Sequence, residues 1–448
     1  MGNRTPNEDL ERLFRETGWT LRQFAQAVNR VGTEYGTPTA HTPQTVHTWL
    51  KGHAPNEKRH VLILEALARR LHRPITHADA GFSSLALESN ARPSTVEGLV
   101  DLGRQDMDPS RRSVLGVSLF SVAMTVPDWP DAVGRMESAR SDQTQRIGMS
   151  DVDTVIAMTE RLSELDDQFG GRHARPMAAA FLVNTVTPYL GADAPEPVRK
   201  AMMSAASDLC YLTGYMAVDE GHHGLAQQYY LKALELAAAA DDHSTYCTTL
   251  RGMSVQAVDL GHGKHAMRLA DAAAAASPQA GPRMRAFLAG QQAHAAAQIG
   301  DRADALRYLA EAESAMEKAE SREKAFGSYD PSSLSYHTSQ VRYELGDVRG
   351  SIDAMMQADA LRASVYRRGR VRQRATLAER QLHIGHLEAA CATWHQTLDD
   401  YPLVQSGRAD QRMAAMLRLI RPHLKNQAAR ELHERARTVV PASLRVLT

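Results

Sequence analysis

The chain has 448 residues, with 52 acidic and 52 basic side chains and therefore no formal net charge. At 43% apolar and 6% aromatic it matches an ordinary soluble protein of two or three domains. Its three cysteines, Cys210, Cys247 and Cys391, are far apart and form no CxxC pair, which excludes a disulfide framework and argues against a zinc site.

Abundant alanine with few aromatic residues favours an all-α protein. Whole-chain charge does not point to nucleic acid. The first 80 residues differ, with 11 Lys/Arg against 8 Asp/Glu, a mild excess suited to a phosphate-facing surface.

Leu10, Leu13 and Phe14 have helical spacing and predict a first helix. Thr20 is placed to cap a second helix running through Leu21, Phe24, Ala25 and Val28. A long polar turn, Asn29–His41, follows, broken by Gly32, Gly36 and Pro38. Thr42–Pro43 then opens a third helix, Pro43–Lys51, with a hydroxyl cap and a proline in the first turn. Gly52 and Pro55 end it, and a fourth helix, Glu57–Leu71, follows with Val61, Leu64, Leu67 and Ala68 on its apolar face.

The third helix reads as a recognition helix. Val46, Leu50 and a partly buried Trp49 would seat it. Thr42, Gln44, Thr45, His47 and Thr48 would face outward, where polar side chains reach base edges in a major groove. Arg22, Gln23 and Lys51 would lie nearer the phosphates. The histidines at 41, 47, 53 and 60 are expected on the surface. A small helical domain with a solvated polar face is the competing reading.

The run LRQFAQAVNRV, then TPQTVHTWLKGHAPNEKRHVLILEALARRL and AGF, resembles the helix-turn-helix domain of actinobacterial XRE-family regulators. Trp49, Gly52, Pro55, Gly81 and Phe82 carry the likeness, while Leu50 stands where that family usually has Glu. The resemblance spans about 75 residues and implies a DNA-binding function.

Three units are expected: 1–82 as the helix-turn-helix domain, 83–150 as a linker with an apolar connecting helix, and 151–448 as a helical repeat domain. The linker mixes Ser, Pro, Gly and charge. Its apolar run Val114–Val126 is too short to span a bilayer as a helix, and the polar start Met1–Leu10 is unlike a signal peptide, so a cytoplasmic protein without a membrane partner is expected.

After residue 150 the chain repeats itself. Gly221, Gly261, Gly300, Gly346 and Gly385 are spaced by 40, 39, 46 and 39 residues. Seven positions before each stands a small residue: Gly214, Ser254, Ala293, Ser339 and Ala378. Five positions after each stands another: Ala226, Ala266, Ala305, Ser351 and Ala390. Small residues let two helices of a hairpin approach, the glycine turns the chain, and stacked hairpins cover one another's apolar faces. The pattern is similar to the TPR signature at a longer period. Ser328–Ser333 reads as a loop insertion, Arg408–Leu424 with Asn426–Val439 as a sixth hairpin, and Asp151–Leu190, split at Gly170–Gly171, as a leading helical pair.

The repeat register puts Tyr211, Tyr215, Arg251, His294, Tyr336, Gln340, Tyr343, Arg372 and Glu379 on the inner side of the array, a lining suited to a peptide or small signalling ligand. A helix-turn-helix fused to such an array resembles the RRNPP arrangement, which implies ligand control. Two half-sites of an inverted repeat would require a homodimer. The cluster Asp219–His223 is read as a solvated turn rather than a metal site. No enzymatic motif is visible, and neither an enzyme nor a cofactor is expected. The leading expectation is a double-stranded-DNA-binding regulator, by default a repressor. The alternative is an interaction scaffold that does not bind DNA.

Overall fold

A computed structural model describes residues 6–34, 38–53, 55–71, 75, 77, 79–82, 95–107, 146–278, 280–319 and 329–445. Among them every regular element is a helix, and none is long and apolar enough to cross a membrane.

Four helices open the chain: α1 (Glu8–Thr17), α2 (Leu21–Glu34), α3 (Pro43–Leu50) and α4 (Glu57–Leu71). Their shared core holds Leu10, Leu13, Phe24, Val28, Val46, Trp49, Leu50, Ile63 and Leu67, all buried. Trp49 is fully part of this core rather than half-exposed. Helix α2 runs past Val28 to Glu34 because Val31 and Gly32 continue its buried stripe. In α4 Leu64, Leu67 and Ala68 are buried as expected, joined by Leu62, Ile63 and Ala66, while Val61 faces solvent. The Arg70 Nε donates to the Thr17 carbonyl at 2.9 Å and ties α4 to the end of α1. The unit closes at Gly81, whose φ of +62° suits glycine, where an added Cβ would stand 2.6 Å from the Asn7 side-chain oxygen.

Helix α5 (Thr95–Met107) occupies part of the stretch expected to be linker. Leu99 and Leu102 are buried, and Thr95 donates its hydroxyl to Glu235 at 2.9 Å. Tyr229 donates to Asp106 at 3.0 Å, and Asp106 also pairs with Arg175. Residues 95–107 are therefore packed onto the repeat domain. The apolar run 114–126 lies outside the described residues.

The repeat domain begins with α6 (Met149–Phe169) and α7 (Gly171–Phe181), the latter continued by a π turn, Leu182–Val186, and a last turn, Thr187–Leu190. Five hairpins follow: α8/α9 (Glu196–Asp219, His223–Ala240), α10/α11 (His243–Asp259, Gly263–Ala275), α12/α13 (Pro282–Gln298, Arg302–Glu317), α14/α15 (Pro331–Glu344, Val348–Leu361) and α16/α17 (Arg367–His383, Leu387–Asp400). A final pair, α18 (Gly407–Ile420) and α19 (Gln427–Val439), caps the stack. Among the described residues the protein is thus all-α, a four-helix unit followed by a solenoid of helical hairpins.

The repeat register has a direct structural meaning. The five spaced glycines all have φ between +77° and +86°. In each turn the amide after the glycine donates to the carbonyl five residues back, at 2.8–3.0 Å, which satisfies the open end of the first helix. The small residues on both sides of the hairpins are buried. At Gly214 an added Cβ would stand 2.9 Å from the Tyr230 ring, so contact there is already closed. Ser254 and Ser339 donate their hydroxyls across the hairpin to the Ala266 and Ser351 carbonyls at 2.8 and 2.6 Å. Ser332 and Ser333, expected in a loop, lie in α14 behind the cap of Asp330, which accepts from the Ser333 amide at 2.8 Å.

The stack curves until its end meets its beginning. Gln405 donates its amide to the Phe169 carbonyl at 2.6 Å, and Arg172 donates to the Gln405 carbonyl at 3.1 Å. Gly170 permits this: its φ is +92° and an added Cβ would stand 2.5 Å from the Gln405 carbonyl oxygen. Arg368 of α16 meets Asp166 and Asp167 of α6 at 2.9 and 3.0 Å. Asp219 accepts from the Gly171 amide at 3.1 Å and from the Ser406 hydroxyl at 2.9 Å. Glu220 pairs with Arg175 at 2.6 Å. Of the acids in the expected solvated turn, Asp219 is thus buried at this junction and Glu220 is half-buried with its side chain turned inward.

Candidate nucleic-acid interface and solenoid interior

Helix α3 is built to present one face. Its Thr42 hydroxyl accepts from the Thr45 amide at 3.3 Å, and the two hydroxyls stand 3.1 Å apart. Pro43 fills the first turn, where no amide donor is needed. Val46, Trp49 and Leu50 bury the inner face. Gln44 and His47 are exposed, and Thr45 and Thr48 are half-buried beside them.

Not every expected base-reading residue has its polar atoms to spare. Thr42 and Thr45 are spent on the cap of α3, and the Thr48 hydroxyl donates to the Thr45 carbonyl at 2.7 Å. Gln23 lies in the first turn of α2, where its side-chain oxygen accepts from the Thr20 amide at 2.8 Å. The Thr20 hydroxyl in turn accepts from the Gln23 amide at 3.3 Å, a reciprocal cap. Gln44 and His47 are the outward groups of α3 best placed to meet a partner, with exposed Arg22 and Lys51 available for phosphate.

The residue that organises this face was not singled out by sequence. The Asn29 side chain on α2 accepts from the His41 amide at 2.7 Å and from the Thr39 hydroxyl at 2.9 Å, and donates to the His41 carbonyl at 2.9 Å. It clamps the far end of the turn and so sets where α3 begins. An asparagine at the end of an apolar helix stripe, before a long turn, is the signal that could have revealed it. Two of the histidines expected at the surface also serve structure. His60 is buried, stacked 4.1 Å from Phe82, and its Nε2 lies 2.9 Å from the Pro55 carbonyl. His41 packs edge-on against Trp49 at 4.9 Å; burial, helped by the charge of Arg59, lowers its pKa below the usual histidine range.

The solenoid interior brings together most of the expected lining, on the first helices of successive hairpins. Tyr215 lies under the Arg368 guanidinium at 5.1 Å. Arg251 sits 4.0 Å over the Phe287 ring and 3.4 Å from His337 Nε2. Gln340 donates to the Tyr336 hydroxyl at 3.2 Å and accepts from Arg380. Arg380 lies over the Tyr343 ring at 4.4 Å, and Glu379 pairs with Arg412 at 2.6 Å. Arg372 is half-buried.

Two members depart from the expectation of an accessible lining. Tyr211 is buried, packed against Tyr230 and pressed onto Gly252, where an added Cβ would stand 2.8 Å from its ring. His294 is buried too, and burial, reinforced by Arg380 and Arg251 against an opposing pull from Asp259, lowers its pKa to about 4. Sequence register could not tell a ring that fills a hairpin seam from one that lines a space. Arg368, Arg380 and His337, all interior, were missed because their partners come from other hairpins.

The three cysteines are free and buried. Among the described residues, no group of His, Cys, Asp and Glu is arranged to hold a metal ion.

Residues 10–83 match the family of the SP15 N-terminal domain, a span that coincides with the four-helix unit and its closing Gly81–Phe82. No curated protein matches the chain.

Proposed function

We propose that this protein is a sequence-specific DNA-binding regulator of transcription, by default a repressor, whose solenoid takes a peptide or small signalling ligand. The observation that carries this reading is the exposed face of α3. It offers Gln44 and His47 from a short helix capped by Thr42 and seated on Trp49. A helix so placed fits a major groove, with Arg22 and Lys51 left to meet the backbone. This is the XRE-like reading of the sequence, and the resemblance to RRNPP regulators supports control by a ligand. One such unit has a small footprint, so a homodimer on an inverted repeat is the working form.

Selection of duplexes from a randomised library, followed by gel retardation at two salt concentrations, tests the DNA reading. The expected result is a discrete inverted repeat. Binding should weaken about ten-fold or more for each of Gln44→Ala and His47→Ala, since a good base contact contributes about 1–3 kcal/mol. Lys51→Ala should weaken binding to all duplexes alike and flatten the salt dependence. Sequence-blind retention unaffected by Gln44→Ala and His47→Ala would overturn this reading in favour of a protein-interaction scaffold.

A further inference from the structure

Not every arginine of the solenoid interior has a carboxylate beside it. Arg368 faces Asp166, Asp167 and Asp219 at 2.9, 3.0 and 3.7 Å, Arg408 pairs with Asp259, and Arg412 meets Glu379 at 2.6 Å. Arg251, Arg372 and Arg380 have no carboxylate within ion-pair distance among the described residues. These three surround one small patch. Arg380 holds Gln340, which donates to the Tyr336 hydroxyl. The Tyr336 ring is 5.9 Å from the His337 ring, and His337 Nε2 is 3.4 Å from Arg251. Arg372 is half-buried on the same helix as Arg380, about two turns before it, and its charge interacts with Tyr336, Tyr215, Asp259 and Asp219.

The patch is also short of hydrogen-bond partners. The Nε atoms of Arg251 and Arg380 are buried without an acceptor. Arg372 makes no side-chain hydrogen bond among the described residues, yet solvent reaches it, as it does Arg251, Tyr336 and Gln340. Unmatched guanidinium groups in a low-dielectric wall are costly. A bound anion would offset that cost, and arginine suits it because its planar fork meets carboxylate and phosphate with paired hydrogen bonds.

We propose that the solenoid interior is an anion site in which Arg372 and Arg251 bind the carboxylate or phosphate of a small ligand beside Tyr336 and Gln340. Arg380, buried behind Gln340, contributes charge rather than contact. The proposal rests on the reading that the interior takes a ligand, and it is independent of whether α3 binds DNA. His294 and His337 are the internal reporters. His294 faces Asp259, Arg380 and Arg251, while His337 faces Arg251 and His294. Burial and these cations lower both histidine pKa values. An anion among the arginines must raise them.

The test is titration of the full chain with inorganic phosphate and, separately, with succinate, read by histidine ring NMR and by thermal melting. Either anion should move the His294 and His337 resonances in a saturable way, raise their apparent pKa values and raise Tm with concentration. A response to phosphate alone assigns a phosphate-bearing ligand, and a response to succinate alone assigns a carboxylate. Arg372→Gln should weaken the response at least ten-fold. Arg251→Gln should act in the same direction, and Arg349→Gln, exposed on α15, should change nothing. The proposal is overturned if neither anion shifts the two histidines, or if the response survives in the Arg372→Gln/Arg251→Gln double variant. Gel retardation of the same samples keeps this outcome separate from the DNA reading, because loss of the anion response leaves DNA binding without ligand intact.

Discussion

At the scale of single residues, the N-terminal unit depends on a few polar groups that replace regular structure where the chain must turn. Asn29 makes three hydrogen bonds to the Thr39–His41 end of the turn before α3. Each such bond contributes about 1 kcal/mol, and the partners left behind are partly buried. Asn29→Ala should therefore destabilise this unit by about 2–3 kcal/mol. It should also weaken duplex binding, through the displaced start of α3 rather than through a lost contact of Asn29 itself. Denaturant melting of the variant, followed by the fluorescence of Trp49, checks the first effect. An unchanged melt would mean that Pro43 and the hydroxyl cap suffice to place α3. The same logic explains why four of the eight expected DNA-facing side chains, Gln23, Thr42, Thr45 and Thr48, are engaged in caps and turns. Small polar residues at a helix start serve the backbone first.

At the scale of elements, the glycine turns of the hairpins and the glycines of the junction have different costs. Gly261 turns α10 into α11 at φ +77°, with nothing within 4 Å of an added Cβ. Gly261→Ala should cost only the strain of a left-handed residue, about 1–2 kcal/mol. Gly170, at φ +92° and ψ 166°, holds an extended conformation that essentially only glycine adopts, and its Cβ would strike the Gln405 carbonyl. Gly170→Ala should cost at least twice as much, because it separates the two ends of the solenoid as well as straining a turn. Paired urea melts measure the difference, and equal losses would show that the junction contributes little to stability. Helix α5 belongs to the same scale. Its composition reads as linker, yet Leu99, Leu102 and Asp106 fit it against α7 and α9, a match that depends on the partner surface rather than on α5 alone.

At the scale of the whole molecule, the closed solenoid is held partly by acids that crowd one arginine. Asp166 is buried, and burial raises its pKa to about 8 despite Arg368, with Asp219, Asp167 and Glu220 adding repulsion. The folded protein therefore keeps a proton on Asp166 that the unfolded chain releases in the ordinary carboxyl range. The stability from this proton is fully present below that range and is lost as pH rises towards about 8. Asp166→Asn carries a neutral side chain at every pH. Its melting temperature should exceed the native protein's by a margin that grows from pH 5 to about pH 8. Burial and Asp242 likewise raise the Asp208 pKa, to about 7, but that contribution is common to both proteins and cancels. Parallel melting curves from pH 5 to 9 would mean that Asp166 is ionised in the fold.

The sequence by itself determined the all-helical class, the capped α3 helix and the hairpin register. Those features are local: Thr42 caps a helix three residues on, and Ser339 reaches Ser351 within one hairpin, so their signals recur within a window that a reader of sequence can scan. Tertiary structure alone decided that the solenoid closes, that Asp219 is buried and Glu220 paired with Arg175 rather than solvated, that α5 docks, and that Arg251, Arg372 and Arg380 share one patch. Asp219 meets Ser406 across 187 residues and Arg368 meets Asp166 across 202. Such contacts follow from the accumulated curvature of every hairpin between them, a property of the stacked whole that no single repeat carries.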